Sequence, residues 1–176
     1  MPSSRLHTFS TRLDRLAEIT GQASAWLTLL LVLVTFTVVV LRYVFQFGSI
    51  AMQESIFYLH ASVFMLGAAY ILRKDGHVRV DIFYRGFSAK HKALVNLLGS
   101  LFLLLPVCSF LLWTSWGYVA NAWSIYEGSG EAGGLPYVYL LKTLIPLSAF
   151  LLILQGISQA LASLGTLLTS HGDDYV

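Results

Sequence analysis

Few side chains in this sequence are equipped for chemistry, and most of them are embedded in long apolar runs. His60 lies in the middle of an uncharged stretch, residues 55–72. An imidazole there can ligate a haem iron, relay a proton or hydrogen-bond a neighbouring helix. Bis-histidine haem needs a second histidine at the same depth, and His7, His77, His91 and His171 all fall in tails or polar loops. His60 is therefore read as a polar group that bonds a neighbouring helix. Cys108 is the only cysteine, which excludes an internal disulfide, a CxxC redox pair and a thiolate metal cage; it is expected to be a buried small hydrophobe. Glu127 and Glu131 sit on a glycine-rich stretch and read as solvated surface, because an oxygen-only cation site needs more ligands than two carboxylates. Gln155 and Gln159 lie four apart and share one helical stripe, which inside lipid should face another helix. No nucleophile has a base nearby, and no acids pair at membrane depth. Neither an enzyme nor a bound cofactor is expected.

The elements that must position these residues follow from composition. The 176 residues are 56% hydrophobic and 11% charged, far from the average soluble domain. The fold class is all-α integral membrane with four transmembrane helices, expected at about 20–45, 54–72, 92–118 and 142–165 within a single membrane domain, 1–176. Each charge-free run is long enough to cross a hydrocarbon core of about 30 Å. Interfacial amphipathic segments are expected at about 11–18 and 78–88, the first capped by Thr11 with Asp14 three residues on. A net charge of +2, with basic residues beside apolar spans, excludes nucleic acid as a partner.

The second span ends in Arg73-Lys74-Asp75-Gly76-His77, with Gly76 expected in the left-handed cap position. Ser88 is placed to cap the next helix. Pro106 should loosen the third span, and Pro146 is expected in the first turn of the fourth, where proline costs little. Trp113, Trp116, Tyr118, Trp123 and Tyr126 gather at one end of the third span, as an interfacial belt requires. Arg73, Lys74, Arg79, Arg85, Lys90 and Lys92 share one loop, against Arg42 alone in the loop between the first two spans. Basic residues are retained in the cytoplasm, so both termini are expected there. Gly67-Ala68-Ala69, and Gly156 with Ala160, offer thin faces for close helix approach. No span carries an acid or a base at its middle, the usual mark of a substrate or proton path. A partner subunit fits such a chain better than a self-sufficient machine.

The residues now assembled carry a resemblance. Arg42-Tyr43-Val44-Phe45, Glu54, Leu66-Gly67-Ala68-Ala69, Gly76-His77-Val78-Arg79-Val80-Asp81, Gly133-Gly134-Leu135-Pro136 with Lys142, and Leu154-Gln155-Gly156 are similar, in order and spacing, to the small DctQ-type permease subunit of tripartite ATP-independent periplasmic (TRAP) transporters. In many members a tryptophan and a second glutamate precede the helix-opening acid, whereas here the stretch reads Ser49-Ile50-Ala51-Met52-Gln53-Glu54. It resembles the branch associated with mannitol, chloroaromatic or 2-oxo acid uptake. The resemblance implies a bacterial inner-membrane protein that scaffolds a large permease subunit. That subunit would hold the substrate and sodium sites, and a periplasmic solute-binding protein would deliver an organic acid or related solute. Arg42 and Glu54 are then expected to pair across their shared loop. Arg73, His77, Arg79 and Asp81 would fix the inner loop against the large subunit or anionic lipid. His60, Gly67, Lys142, Gln155 and Gly156 complete the candidate interface or lipid-anchoring residues. The rival readings are an autonomous four-helix transporter acting as a homodimer, which would rest on Glu54, and a membrane redox subunit, which would rest on His60.

Overall fold

The computed structural model describes residues 2–76, 84 and 86–169, with 2–13 and 169 described by their backbone alone. The described residues are helical and contain no strand. Helix α1 runs Pro2–Tyr43, α2 Ile50–Arg73 and α3 Ala89–Gly99; a wide π-helical turn, Ser100–Leu104, joins α3 to α4, Leu105–Ser124, and α5 runs Val138–Thr169. Among the described residues, four stretches are long and apolar enough to cross a membrane: Asp14–Tyr43, Ile50–Arg73, Ala89–Ser124 and Val138–Leu168. Helices α1 and α2 pack as one pair and α4 and α5 as another, while α5 also touches α1, α2 and α3. Helix α5 is thus the central element.

The helices approach closely because their facing residues are small. The buried positions include Ala17, Ser24, Ala69, Ala93, Ser115, Ala122, Ser148, Ala149, Ser158 and Ala160, whereas Trp26, Phe36, Phe64, Phe102 and Trp113 point outward. This reverses the soluble pattern. Lipid is as apolar as leucine, so association relies on backbone proximity rather than on burying large side chains. Hydroxyls within the spans bond back to their own helix, as Ser24 does to the Thr20 carbonyl at 2.9 Å, Thr28 to Ser24 at 2.8 Å and Ser62 to Tyr58 at 2.8 Å. They bring little polarity into the bilayer.

The π-turn has an identifiable cause. Pro106 has no N–H for the Phe102 carbonyl, and its ring would press on that carbonyl in a regular helix. The chain widens just before it, so that the Leu105 N–H reaches the Ser100 carbonyl, five residues back instead of four. The loosening expected at Pro106 is therefore one inserted residue, not a break.

Several boundaries differ from expectation. Residues 11–18 do not form a separate segment, because α1 passes through them unbroken. Helix α5 begins at Val138, which puts Pro146 inside it. Lys142, expected to open the fourth span, lies inside the helix, where Glu127 pairs with it. At the end of α2 the left-handed residue is Asp75, φ +57°, not Gly76. The Gly76 N–H reaches the Ile71 carbonyl at 2.9 Å and the Asp75 N–H reaches Leu72 at 3.2 Å. This is the Schellman pair of bonds, with aspartate in the one position where it tolerates a positive φ. Ser88 caps α3 as expected, accepting from the His91 N–H at 3.4 Å. Most of the expected segment 78–88 lies outside the described residues.

Candidate functional site

The polar side chains gather at the two ends of the bundle. At the end carrying the termini, Asp14 of α1 faces α5. Its Oδ1 accepts from Gln155 Nε2 at 3.1 Å and from Ser158 Oγ at 2.7 Å. One turn further along α1, Glu18 pairs with Arg73 and lies 3.9 Å from Lys74 Nζ. Lys74 stands over the Tyr70 ring, 5.5 Å from its centroid. Tyr70 in turn lies against Gly21, where a Cβ would come 2.3 Å from the ring. A cleft of about 210 Å³ opens between the helices, lined by Asp14, Arg73, Asp75, Asn96, Gln155 and Gln159. Asn96 Oδ1 accepts from the Tyr84 hydroxyl at 3.2 Å.

At the opposite end Glu54 holds the loop between α4 and α5. Its carboxylate accepts from Ser129 Oγ and, at 2.6 Å, from the Leu135 N–H. Gly134 leaves the necessary room, since a Cβ there would fall 2.8 Å from Glu54 Oε1 and closer still to Ser129. Lys142 Nζ donates to both oxygens of Glu127, at 2.5 and 2.7 Å, and lies 4.1 Å from the Tyr118 ring centroid. Trp123 Nε1 donates to Thr143 Oγ1 at 2.8 Å, and its ring meets Tyr139 edge-on at 4.7 Å. The helices are thereby tied at both ends: α1 to α2 and α5 at one, α2 to the α4–α5 loop and α4 to α5 at the other.

A family model described as "Tripartite ATP-independent periplasmic transporters, DctQ component" matches residues 31–166. The chain belongs to the DctQ family. No curated protein and no solved structure matches it significantly. The DctQ component is thus a transporter part with four helices fit to cross a membrane.

The residues expected to serve this DctQ component fall into distinct places. The pairing expected between Arg42 and Glu54 is not made: Glu54 is taken by Ser129 and Leu135, while Arg42 lines a separate cleft of about 430 Å³ with Gln46, Ser49 and Gln53. Two hydrogen bonds from α5's own loop satisfy the carboxylate better than a long arginine on an exposed helix end. Glu127 is an anchor for Lys142 rather than solvated surface, whereas Glu131 is exposed. Gly67 is buried with its nearest neighbour Ser24 of α1, and Gly156 lies beneath Leu104 and Leu105. Their close approaches are made within the chain. Gln155 faces α1 as its stripe implied, and Cys108 is buried as expected. His60 is exposed on α2 rather than turned to a helix of its own bundle, and no hydrogen bond reaches it from the described residues. His77, Arg79 and Asp81 lie outside the described residues.

Sequence alone makes Asp14 only the partner of a cap at Thr11, which lies inside α1 instead, and raises no expectation for Glu18, Gly21 or Ser129. The spacing Asp14, Ala17, Glu18, Gly21, Ser24 does hold a signal, since small and acidic residues repeat there at three and four along one face. Glu54→Ala is expected to raise hydrogen exchange at the Leu135 amide about tenfold or more, and Glu54→Gln, which keeps one acceptor, by less. Unchanged exchange in Glu54→Ala would show that the loop's own turns hold it.

Proposed function

We propose that this DctQ component is the small membrane subunit of a sodium-coupled, binding-protein-dependent TRAP transporter of the bacterial inner membrane. Both termini face the cytoplasm. The chain scaffolds the large permease subunit and does not itself bind the solute, an organic acid or related small molecule delivered by the periplasmic binding protein. One observation carries this reading: the charged groups near the spans hold helices to helices at the two rims, through Glu18–Arg73, Asp14–Gln155, Glu54–Leu135 and Glu127–Lys142. Between the rims the helices meet through alanine, serine and glycine. Bonds of this kind suit a rigid wall beside a moving subunit better than a path for ions. The basic residues 73, 74, 90 and 92 give the cytoplasmic rim its charge and its affinity for anionic lipid.

The test is sodium-driven solute uptake in proteoliposomes containing this chain, the large permease subunit, or both, with the binding protein added. Uptake is expected only when both membrane subunits are present. Uptake by this chain alone would overturn the scaffold role.

A further inference from the structure

His60 stands ten residues after Ile50 and thirteen before Arg73 in α2, about 15 and 20 Å from the ends of that helix. It is therefore near the middle of the hydrocarbon, and it faces away from its own bundle. It does not stand alone. Phe57, Phe64 and Ile71 are exposed beside it, and at 3.6 residues per turn the four side chains fall within an arc of about 60°. The remainder of α2 from Ala51 to Leu72 is half-buried or buried. This is a narrow ridge of large side chains with one polar group at its centre. An imidazole at that depth carries a donor and an acceptor that acyl chains cannot satisfy. Polar residues within spans accordingly face protein or water-filled cavities.

We propose that the Phe57–His60–Phe64 ridge is where the large permease subunit docks, and that His60 hydrogen-bonds a polar group at mid-depth on that subunit. The inference rests on the function proposed above. The shape of the ridge favours this partner over a second copy of the chain. Close self-association in lipid uses small residues, and on α2 Gly67 and Ala69 are buried against the rest of the bundle while Ala61, Ser62 and Ala68 are half-buried there. A ridge of phenylalanines requires a groove, which an identical ridge does not supply.

The experiment uses the complex of this chain with the large permease subunit, purified by a tag on the latter. A photoreactive benzophenone amino acid replaces Phe64 in one preparation and Phe102, exposed on the turn between α3 and α4, in another. Position 64 is expected to give an adduct of the summed mass of the two subunits, and position 102 is expected not to. His60→Leu is expected to reduce the amount of this chain retained on the large subunit about threefold to tenfold, with partial rescue by His60→Gln. The thermal midpoint of the isolated chain should stay unchanged, because no hydrogen bond reaches His60 from the described residues. A complex that copurifies normally while position 64 reaches only lipid overturns the ridge and leaves the scaffold reading standing. An adduct of twice this chain's mass overturns it in favour of a homodimer. Failure of the unmodified subunits to copurify removes both readings.

Discussion

Gly21→Ala is expected to destabilise the bundle by about 2–3 kcal/mol, a large effect for one methyl group. The added carbon would lie 2.3 and 2.4 Å from two ring atoms of Tyr70 and 2.9 Å from its Cβ. Contact with Cβ matters most, since rotating the ring leaves that atom in place. Either α1 and α2 separate or Tyr70 changes rotamer and leaves Lys74, which stands over its ring. A denaturation midpoint in detergent, measured for the purified chain, checks this. Tyr70→Ala provides the control: in that background Gly21→Ala should lose most of its effect, as coupled neighbours require. An unchanged midpoint in the single variant would show that the two helices are not held at the observed distance.

Asp14→Ala is expected to have the next largest effect, about 2–3 kcal/mol. Gln155 is only 4% exposed, and its Nε2 donates to Asp14. Its Oε1 already lacks a partner among the described residues. Removing the carboxylate leaves a buried amide bonded at neither end by the described residues and takes one bond from Ser158, itself 1% exposed. Asp14→Asn keeps an acceptor at the same place and should recover much of the loss. The same denaturation measurement distinguishes them: equal losses would mean that charge, not hydrogen bonding, matters at this position. If neither variant moves the midpoint, the contact between α1 and α5 at this end adds nothing to stability.

Length and charge made the four spans legible, because crossing a bilayer imposes a minimum run of uncharged residues whatever the neighbours do. The cap at Ser88, the disturbance at Pro106 and the burial of Cys108 were legible for a similar reason: each follows from local chemistry. The rims were not. Asp14 and Glu18 precede the apolar run, where Asp14 suggested only a local cap with Thr11, and their partners are 141 and 55 residues away in sequence. Glu54 likewise finds Leu135 at a separation of 81 residues. Periodicity reports which residues share a face; it does not report what that face meets. The same limit applies to His60, whose depth could be counted from the sequence while its direction depends on where α1 and α5 pack. Gly21 was illegible for a simpler reason, since a lone glycine in a helix acquires meaning only when an aromatic ring is found against it.

The wide turn at residues 100–104 also constrains how such a chain can change over generations. Its extra residue exists to accommodate Pro106, and it sets Leu104 over Gly156. Deleting one residue there would restore a regular helix and leave Cys108, Ser115, Val119 and Ala122 on the buried face they share, but it would press the Pro106 ring against the carbonyl one turn before it. Replacing the proline alone would leave an unneeded residue in the helix. Loss of the proline and loss of the residue therefore amount to one evolutionary event, because neither is neutral without the other.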